Sequence, residues 1–271
     1  MVTGAVKRLA TEAQASLPDA LRAHSHATPP PPPFGAALAH GGIIAEVKRA
    51  SPSRGVIAAD RDAVAQARAY AAGGAAALSV LTEPAHFRGS LADLTDVAAA
   101  VDIPVLRKDF VVDAYQLFEA RAAGAAAALL LVAPLDDARL AELIGAAAEA
   151  GIEVLIETHD ATEVARAAAV LADIAHHRPA VVGVNARDLT RLSVDRSRFA
   201  ELVGGLPEGV VVVAESGVTG PADVTDYRRA GARAVLVGEH LMLADDPVAA
   251  TRALVNAVQW SPVTAALPEP I

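Results

Sequence analysis

The chain has no cysteine, which excludes disulfides, a thiolate nucleophile and Cys-ligated zinc, and leaves its redox compartment unmarked. Aromatic residues make up only 3%, so a core must come from Ala, Val, Leu and Ile, a mixture suited to parallel strands packed beneath Ala-rich helices. The hydrophobic content of 53% over 271 residues can fill such a core. Neither sign of charge forms a long block, and the formal net charge is −9. Nucleic acid, whose affinity rests on clustered Lys and Arg, is not an expected partner. No apolar run approaches the length of a membrane span, and the first residues lack the apolar stretch and cleavage pattern of a secretory signal, so a cytoplasmic location is expected.

Lysine is also scarce. Of 23 basic Lys and Arg residues only three, Lys7, Lys48 and Lys108, are lysine. Lys48 and Lys108 end short apolar runs that read as buried strands. An amine can surrender a proton when desolvated and a guanidinium cannot, so these two are the first catalytic candidates.

Between its ends the chain repeats one unit: a Val/Ile/Leu/Ala run, a polar loop, then an Ala-rich helical stretch closing on Gly. Strands are expected at 43–48, 76–81, 105–108, 127–132, 153–157, 181–185, 210–215 and 234–238. Helices fall near 61–73, 90–100, 113–124, 136–150, 160–173, 195–204, 221–230 and 247–258, with Gly73, Gly124, Gly151 and Gly231 as carboxyl-terminal caps. Eight alternating units predict an α/β fold of the (β/α)8 TIM-barrel class over residues 43–258. The alternative, a doubly wound open sheet, lacks a Gly-rich dinucleotide turn after its first strand. Residues 1–42 form an N-terminal helical extension, with Leu9, Ala13, Leu17 and Leu21 on one side of a helix over 1–24, followed by Pro29–Pro33, read as a stiff connector. Residues 259–271 read as a loose tail.

A barrel of this kind carries its site at the carboxyl ends of the strands, where this sequence turns polar. Glu46 and Lys48 are spaced i, i+2, so alternation with Ala45 and Val47 points both into the barrel mouth. Lys108, Glu157, Asn185 followed by Arg187, and Glu215 with Ser216 end later strands. Arg49 and Arg107 face outward by the same alternation. For a single charged pair, a satisfied ion pair closing the barrel is an equal reading; for five converging strands a charged substrate accounts better for the cost of burial. Ser216, Gly217 and Gly238 supply a hydroxyl and approachable amides for a phosphate near a short helix. Phe87 and Phe110 form either a hydrophobic lid or a surface for a flat ring. His24, His26, His176 and His177 lie in polar tracts or loops, and His159 reads as readily as solvated; no metal or cofactor is expected.

The segments IIAEVKRASPSRG, SVLTEPAHFRGS, PVLRKDFVVDAYQ, VLIETHD, GVNARDL, VVAESGV and VLVGEHLM resemble, in order, the signature segments of the indole-3-glycerol phosphate synthase family. The resemblance implies ring closure, decarboxylation and dehydration of 1-(2-carboxyphenylamino)-1-deoxyribulose 5-phosphate in tryptophan biosynthesis, without cofactor or metal. It implies Lys108 as general acid at the ketone oxygen and Glu157 as acid/base in the dehydration. Lys48 would hold substrate anions, the carboxylate especially, with a share in the acid role as its alternative; Glu46 and Asn185 would orient the reacting centre, and Glu215 would hold sugar hydroxyls. Ser51, Phe87, Phe110, Arg187 and Leu189 would line the pocket, and Ser216, Gly217, Gly238 and the backbone of Glu239 would take the phosphate. Two lysines sharing a low-dielectric mouth are expected to lower the pKa of the acid. The family's N-terminal helix folds over the barrel mouth, and the protein is expected to act as a monomer. A related phosphate-binding barrel, such as phosphoribosylanthranilate isomerase, and a non-catalytic partner in a pathway complex are the alternative readings.

Overall fold

The computed structural model describes residues 4, 19–173, 180–187 and 197–257. Two helices come first, α1 (Asp19–Ala27) and α2 (Phe34–Ala39). Eight parallel strands then pair in chain order: β1 (Gly42–Val47), β2 (Ala77–Leu81), β3 (Val105–Lys108), β4 (Ala127–Leu131), β5 (Glu153–Thr158), β6 (Val181–Asn185), β7 (Val211–Glu215) and β8 (Ala234–Val237). The barrel closes where β8 pairs with β1. The helices α3 (Ala63–Ala72), α4 (Leu91–Ala100), α5 (Ala114–Ala122), α6 (Asp137–Ala150), α7 (Ala161–Asp173), α8 (Ser197–Val203), α9 (Pro221–Arg229) and α10 (Pro247–Asn256) each follow one strand. The fold is the expected (β/α)8 barrel with helices at its amino terminus. Among the described residues no helix is long and apolar enough to cross a membrane.

Local chemistry explains where the helices begin and end. Asp62, Ser90, Asp136 and Asp246 each accept a backbone N–H from the first turn of α3, α4, α6 and α10, and Asp113 with Gln116 forms a reciprocal capping box on α5. Gly124, Gly151 and Gly231 take positive φ after α5, α6 and α9. After α3 the left-handed residue is Gly74, at φ 92°, while Gly73 stays right-handed at φ −75°. Gly73 is thus the carboxyl-terminal cap of α3, as expected, and Gly74 supplies the left-handed turn after it.

Period-two alternation divides the strands between two cores. Ile43, Ala45 and Val47 face outward into the large layer shared with the helices, whereas Ile44, Ala77, Leu106, Ala127, Leu155, Val181 and Val213 fill the barrel interior. Phe34 and Leu38 of α2, both fully buried, join the interior cluster. Glu153 at the start of β5 accepts the Phe34 and Gly35 amides at 3.1 and 2.7 Å, fixing α2 across the amino-terminal end of the barrel.

The described part of the extension therefore lies away from the mouth. Arg22 of α1 stacks over Phe118 of α5 at 4.8 Å and pairs with Glu149 of α6, and Arg121 donates to the Thr28 carbonyl at 2.6 Å. Pro29–Pro33 spans from this outer contact to the plug, with Pro33 at φ −69°, ψ 120°. Of the helix expected over 1–24, the described residues are Gly4 and the stretch from Asp19, where Leu21 packs on the helical layer; Leu9, Ala13 and Leu17 lie outside the described residues.

Truncating the plug should cost what emptying an aromatic core site costs. Phe34→Ala is expected to lower unfolding free energy by about 3–5 kcal/mol, read from urea titrations, while KM, set at the opposite end of the barrel, stays unchanged.

Candidate active site

Strand alternation delivers the inward polar residues to one level at the barrel mouth. Lys108 Nζ lies 3.0 Å from Glu157 Oε2 and 3.1 Å from Glu215 Oε2, so one ammonium bridges carboxylates from β5 and β7. Asn185 Nδ2 donates to Glu157 Oε1 at 2.8 Å. On β1, Lys48 Nζ lies 2.5 Å from Glu46 Oε1. All six groups line a cavity of about 850 Å³, together with Ser51, Phe87, Phe110, Arg187, Ser216, Gly217, Gly238 and Glu239. Leu189 lies outside the described residues.

Two glycines make room for these carboxyls. A Cβ on Gly183, in mid-strand, would stand 2.1 Å from Glu215 Oε1, and one on Gly238 would stand 2.4 Å from Glu46 Oε1 and 3.0 Å from Lys48 Nζ. The absent side chains are thus filled by functional groups of neighbouring strands.

The electrostatics correct one expectation. Lys108 is not depressed, because its nearest charged partners are carboxylates. Burial works against the Lys108 ammonium, but Glu157, Glu215 and Glu46 outweigh it and raise its pKa above the ordinary value. Burial also opposes charge on Glu157, yet Lys108, His159 and Asn185 hold it well below the usual carboxylate range. Glu215 goes the other way: burial and the neighbouring Glu157 charge push it up to about 8 against the pull of Lys108. Near neutrality the mouth holds a charged Lys108, an ionised Glu157 and a protonated Glu215.

At the β7 end, Ser216 and Gly217 adopt φ 70° and 78°, a left-handed pair on the cavity wall. Gly238 opens the short helix Glu239–Met242 beside it. The Glu239 carboxylate is drawn off by Arg54, whose Nε lies 2.7 Å away on the hairpin loop after β1. Phe87 and Phe110 face each other at a ring distance of 6.4 Å and an angle of 45°.

Six contributors did not stand out in the sequence: His159, Asp109 and four leucines. His159 is not solvated: its side chain is 8% exposed, with Nε2 3.1 Å from Glu157 Oε1 and Nδ1 3.1 Å from Glu163 Oε2, and its pKa is raised to about 10 by those carboxylates against the effect of burial. Its i, i+2 relation to Glu157 was a readable signal. Asp109, buried, accepts from Thr82 Oγ1 at 2.7 Å and from the Phe110 amide at 2.8 Å, which sets the loop carrying that ring. Leu81, Leu129, Leu131 and Leu236 give the cavity apolar surface. Arg107 points away from the mouth as expected, but into the helical layer, buried with Asp109 and Glu119. Arg49 pairs there with Asp93 through two bonds of 2.7 and 2.8 Å. Among the described residues no group of three or more His, Asp or Glu is placed to hold a metal ion; His176 and His177 lie outside them.

Comparison with known proteins places the chain in a family. The family model described as indole-3-glycerol phosphate synthase matches residues 4–254. The indole-3-glycerol phosphate synthase of Nocardioides sp. is 50% identical over 242 residues, 89% of this chain and 90% of that one. That of Mycolicibacterium smegmatis is 50% identical over 250 residues, covering 92% and 89%, and that of Beutenbergia cavernae is 53% identical over 215 residues, covering 79% and 77%. Among solved structures, a 3-hexulose-6-phosphate synthase aligns with a TM-score of 0.61 over 80% of this chain and 99% of that one; at 20% identity it shares the fold alone. The chain belongs to the indole-3-glycerol phosphate synthase family.

Proposed function

We infer that this site carries out the indole-3-glycerol phosphate synthase reaction, converting 1-(2-carboxyphenylamino)-1-deoxyribulose 5-phosphate to indole-3-glycerol phosphate, carbon dioxide and water. The observation that carries the assignment of roles is the Lys108 ammonium held between Glu157 and Glu215 at the mouth. As the ring carbon attacks the ketone, its oxygen becomes an alkoxide, and Lys108 gives it a proton. A raised pKa suits this task, since the lysine is fully protonated at neutral pH and an alkoxide is the stronger base. Loss of carbon dioxide restores the aromatic ring. The new hydroxyl then leaves as water: Glu157, already an anion, takes the proton given up by the adjacent carbon of the new ring and passes it to the departing oxygen, ending as it began, while Lys108 regains its proton from solvent.

The remaining groups bind and orient. Lys48, set by Glu46, receives the substrate carboxylate, and Asn185 fixes the Glu157 plane. Glu215, protonated, donates to a sugar oxygen. The paired rings of Phe87 and Phe110, with Ser51 and Arg187, enclose the anthranilate moiety. Ser216, Gly217, Gly238 and the Glu239 backbone take the phosphate, the Glu239 charge being neutralised by Arg54. An isomerase role would leave the Lys108 triad without a task, and a non-catalytic role would leave buried charges without a ligand. The reading includes a monomer in the cytoplasm with no nucleic-acid partner, in keeping with the net charge of −9.

The purified protein given the carboxyphenylamino-deoxyribulose phosphate should develop indole fluorescence; folded protein with no product would sink the assignment. Lys108→Ala should lower kcat by about 10²–10⁴-fold with a small change in KM, whereas Lys48→Ala should act mainly on KM; the reverse split would exchange their roles. Glu215 also has a signature in stability. Its native pKa of about 8 exceeds the unfolded value of 4.5, so the native state binds more protons between those limits. Its contribution is fully present below pH 4.5 and is lost as pH rises through about 8. Urea midpoints measured across that window should fall less steeply with pH in Glu215→Gln than in the parent protein.

A further inference from the structure

His159 has no part in the scheme above, yet it touches the carboxylate on which the dehydration depends. β5 ends in Glu157, Thr158 and then His159, so the imidazole follows Glu157 to the inner side by the alternation that pairs Glu46 with Lys48. Its ring lies between two carboxylates, 3.1 Å from Glu157 Oε1 through Nε2 and 3.1 Å from Glu163 Oε2 through Nδ1. Glu163 is itself fixed: it accepts the His159 amide at 2.8 Å, and its own amide donates to Asp160 Oδ1 at 2.9 Å in the first turn of α7. From α8, Arg198 donates to the His159 carbonyl at 3.0 Å. Arg187 lines the same cavity as the imidazole. A ring with a carboxylate at each nitrogen is favoured as an imidazolium, bonded through Nδ1 to Glu163 and facing Glu157 through Nε2.

The two oxygens of Glu157 are thereby divided. Oε1 faces Asn185 and His159, and Oε2 faces Lys108. Lys108, however, loses its positive charge when it protonates the substrate oxygen. From that moment the cation left beside Glu157 is His159.

We propose that His159, seated by Glu163, is a positioning residue for Glu157: it holds the carboxylate as an anion while Lys108 gives up its proton, and fixes which oxygen is turned to the substrate. The Nε2 contact with Glu157 is close but lacks the alignment of a formed hydrogen bond, so it can tighten as the charge of Lys108 is withdrawn. The proposal rests on the reading of Glu157 as the acid/base of the dehydration.

His159→Gln, which removes the charge, is expected to lower kcat by about tenfold to a hundredfold, to leave KM within about twofold, and to move the acid limb of the kcat–pH profile up by about one to three units. Glu163→Gln should move the same limb by less and add a dependence between about pH 6 and 9 as the imidazole titrates. Added imidazole should restore activity to His159→Gly, a response that a merely structural defect would not give. An acid limb unmoved in His159→Gln overturns the proposal, as does a loss of activity that tracks melting temperature and resists imidazole. Glu157→Gln separates the two claims. If it stays active, the acid/base reading of Glu157 fails and takes the proposal with it; if it is inactive while His159→Gln behaves as the parent, the role of His159 alone falls.

Discussion

Every strand of the closed parallel barrel gives its residues only two environments, and register with its neighbours decides which inward residues share a level. The whole site depends on that constraint. Asn185 stands in register with Glu215, Leu131 with Glu157, and Leu81 with Lys108, so residues from strands scattered over the sequence reach one rim. A slip of one residue in any of these strands would exchange its polar and apolar faces. Gly183 shows how finely the level is used. It lies in register with Glu157 on one side and Val213 on the other, and the space its missing side chain leaves is taken by the Glu215 carboxyl. Glycine weakens a strand interior by roughly 0.5–1 kcal/mol, a cost accepted here for the position of one carboxyl.

The charges gathered at the rim would be unfavourable as isolated groups. They persist because each is matched: Lys48 with Glu46, Lys108 with Glu157, and His159 with Glu163. Glu215 shares Lys108 with Glu157, and burial together with the neighbouring Glu157 charge keeps it protonated near neutrality. One of its oxygens, Oε1, is buried without a hydrogen-bond partner. Similar side chains thus take different charge states by environment alone, which is what the proposed roles of Glu157 as base and Glu215 as donor draw on.

Much of this was legible in the sequence because both the repeat and the alternation are written in residue types. The eight apolar runs fixed the class of fold, and the i, i+2 spacing of Glu46 and Lys48 correctly placed them in the mouth. What escaped depends on distances between strands. Alternation says that Lys108 faces inward, but not that its nearest partners are Glu157 and Glu215 instead of Lys48, and the direction of its pKa follows from those partners. His159 had the right parity, yet its burial depends on Glu163, which comes from the next helix. The course of the described extension, residues 19–39, was not legible: an amphipathic stretch reveals that it has an apolar side, not which end of the barrel receives it. Phe34 settles that question by filling the amino-terminal end of the interior.

The two ends of the barrel consequently carry different duties. The lower end is closed by the apolar side chains Phe34 and Leu38 with one carboxylate on two amides, and it supplies stability. The upper end holds local strain. Ser216, a non-glycine residue at φ 70°, sits in a conformation costing roughly 1–2 kcal/mol. It is held there from below, where the Tyr227 hydroxyl donates to its carbonyl at 2.9 Å and the Tyr227 ring packs edge-on against Phe199 at 5.0 Å. Downstream, Asp223 accepts both the amide and the hydroxyl of Thr219 at 2.7 Å. A turn anchored on both sides keeps its shape in the unliganded protein, so the strain is met during folding and not at each binding event. That division explains why the polar end can be rigid and strained at once: the helical layer beneath it and the plug opposite it hold the strands whose ends it occupies.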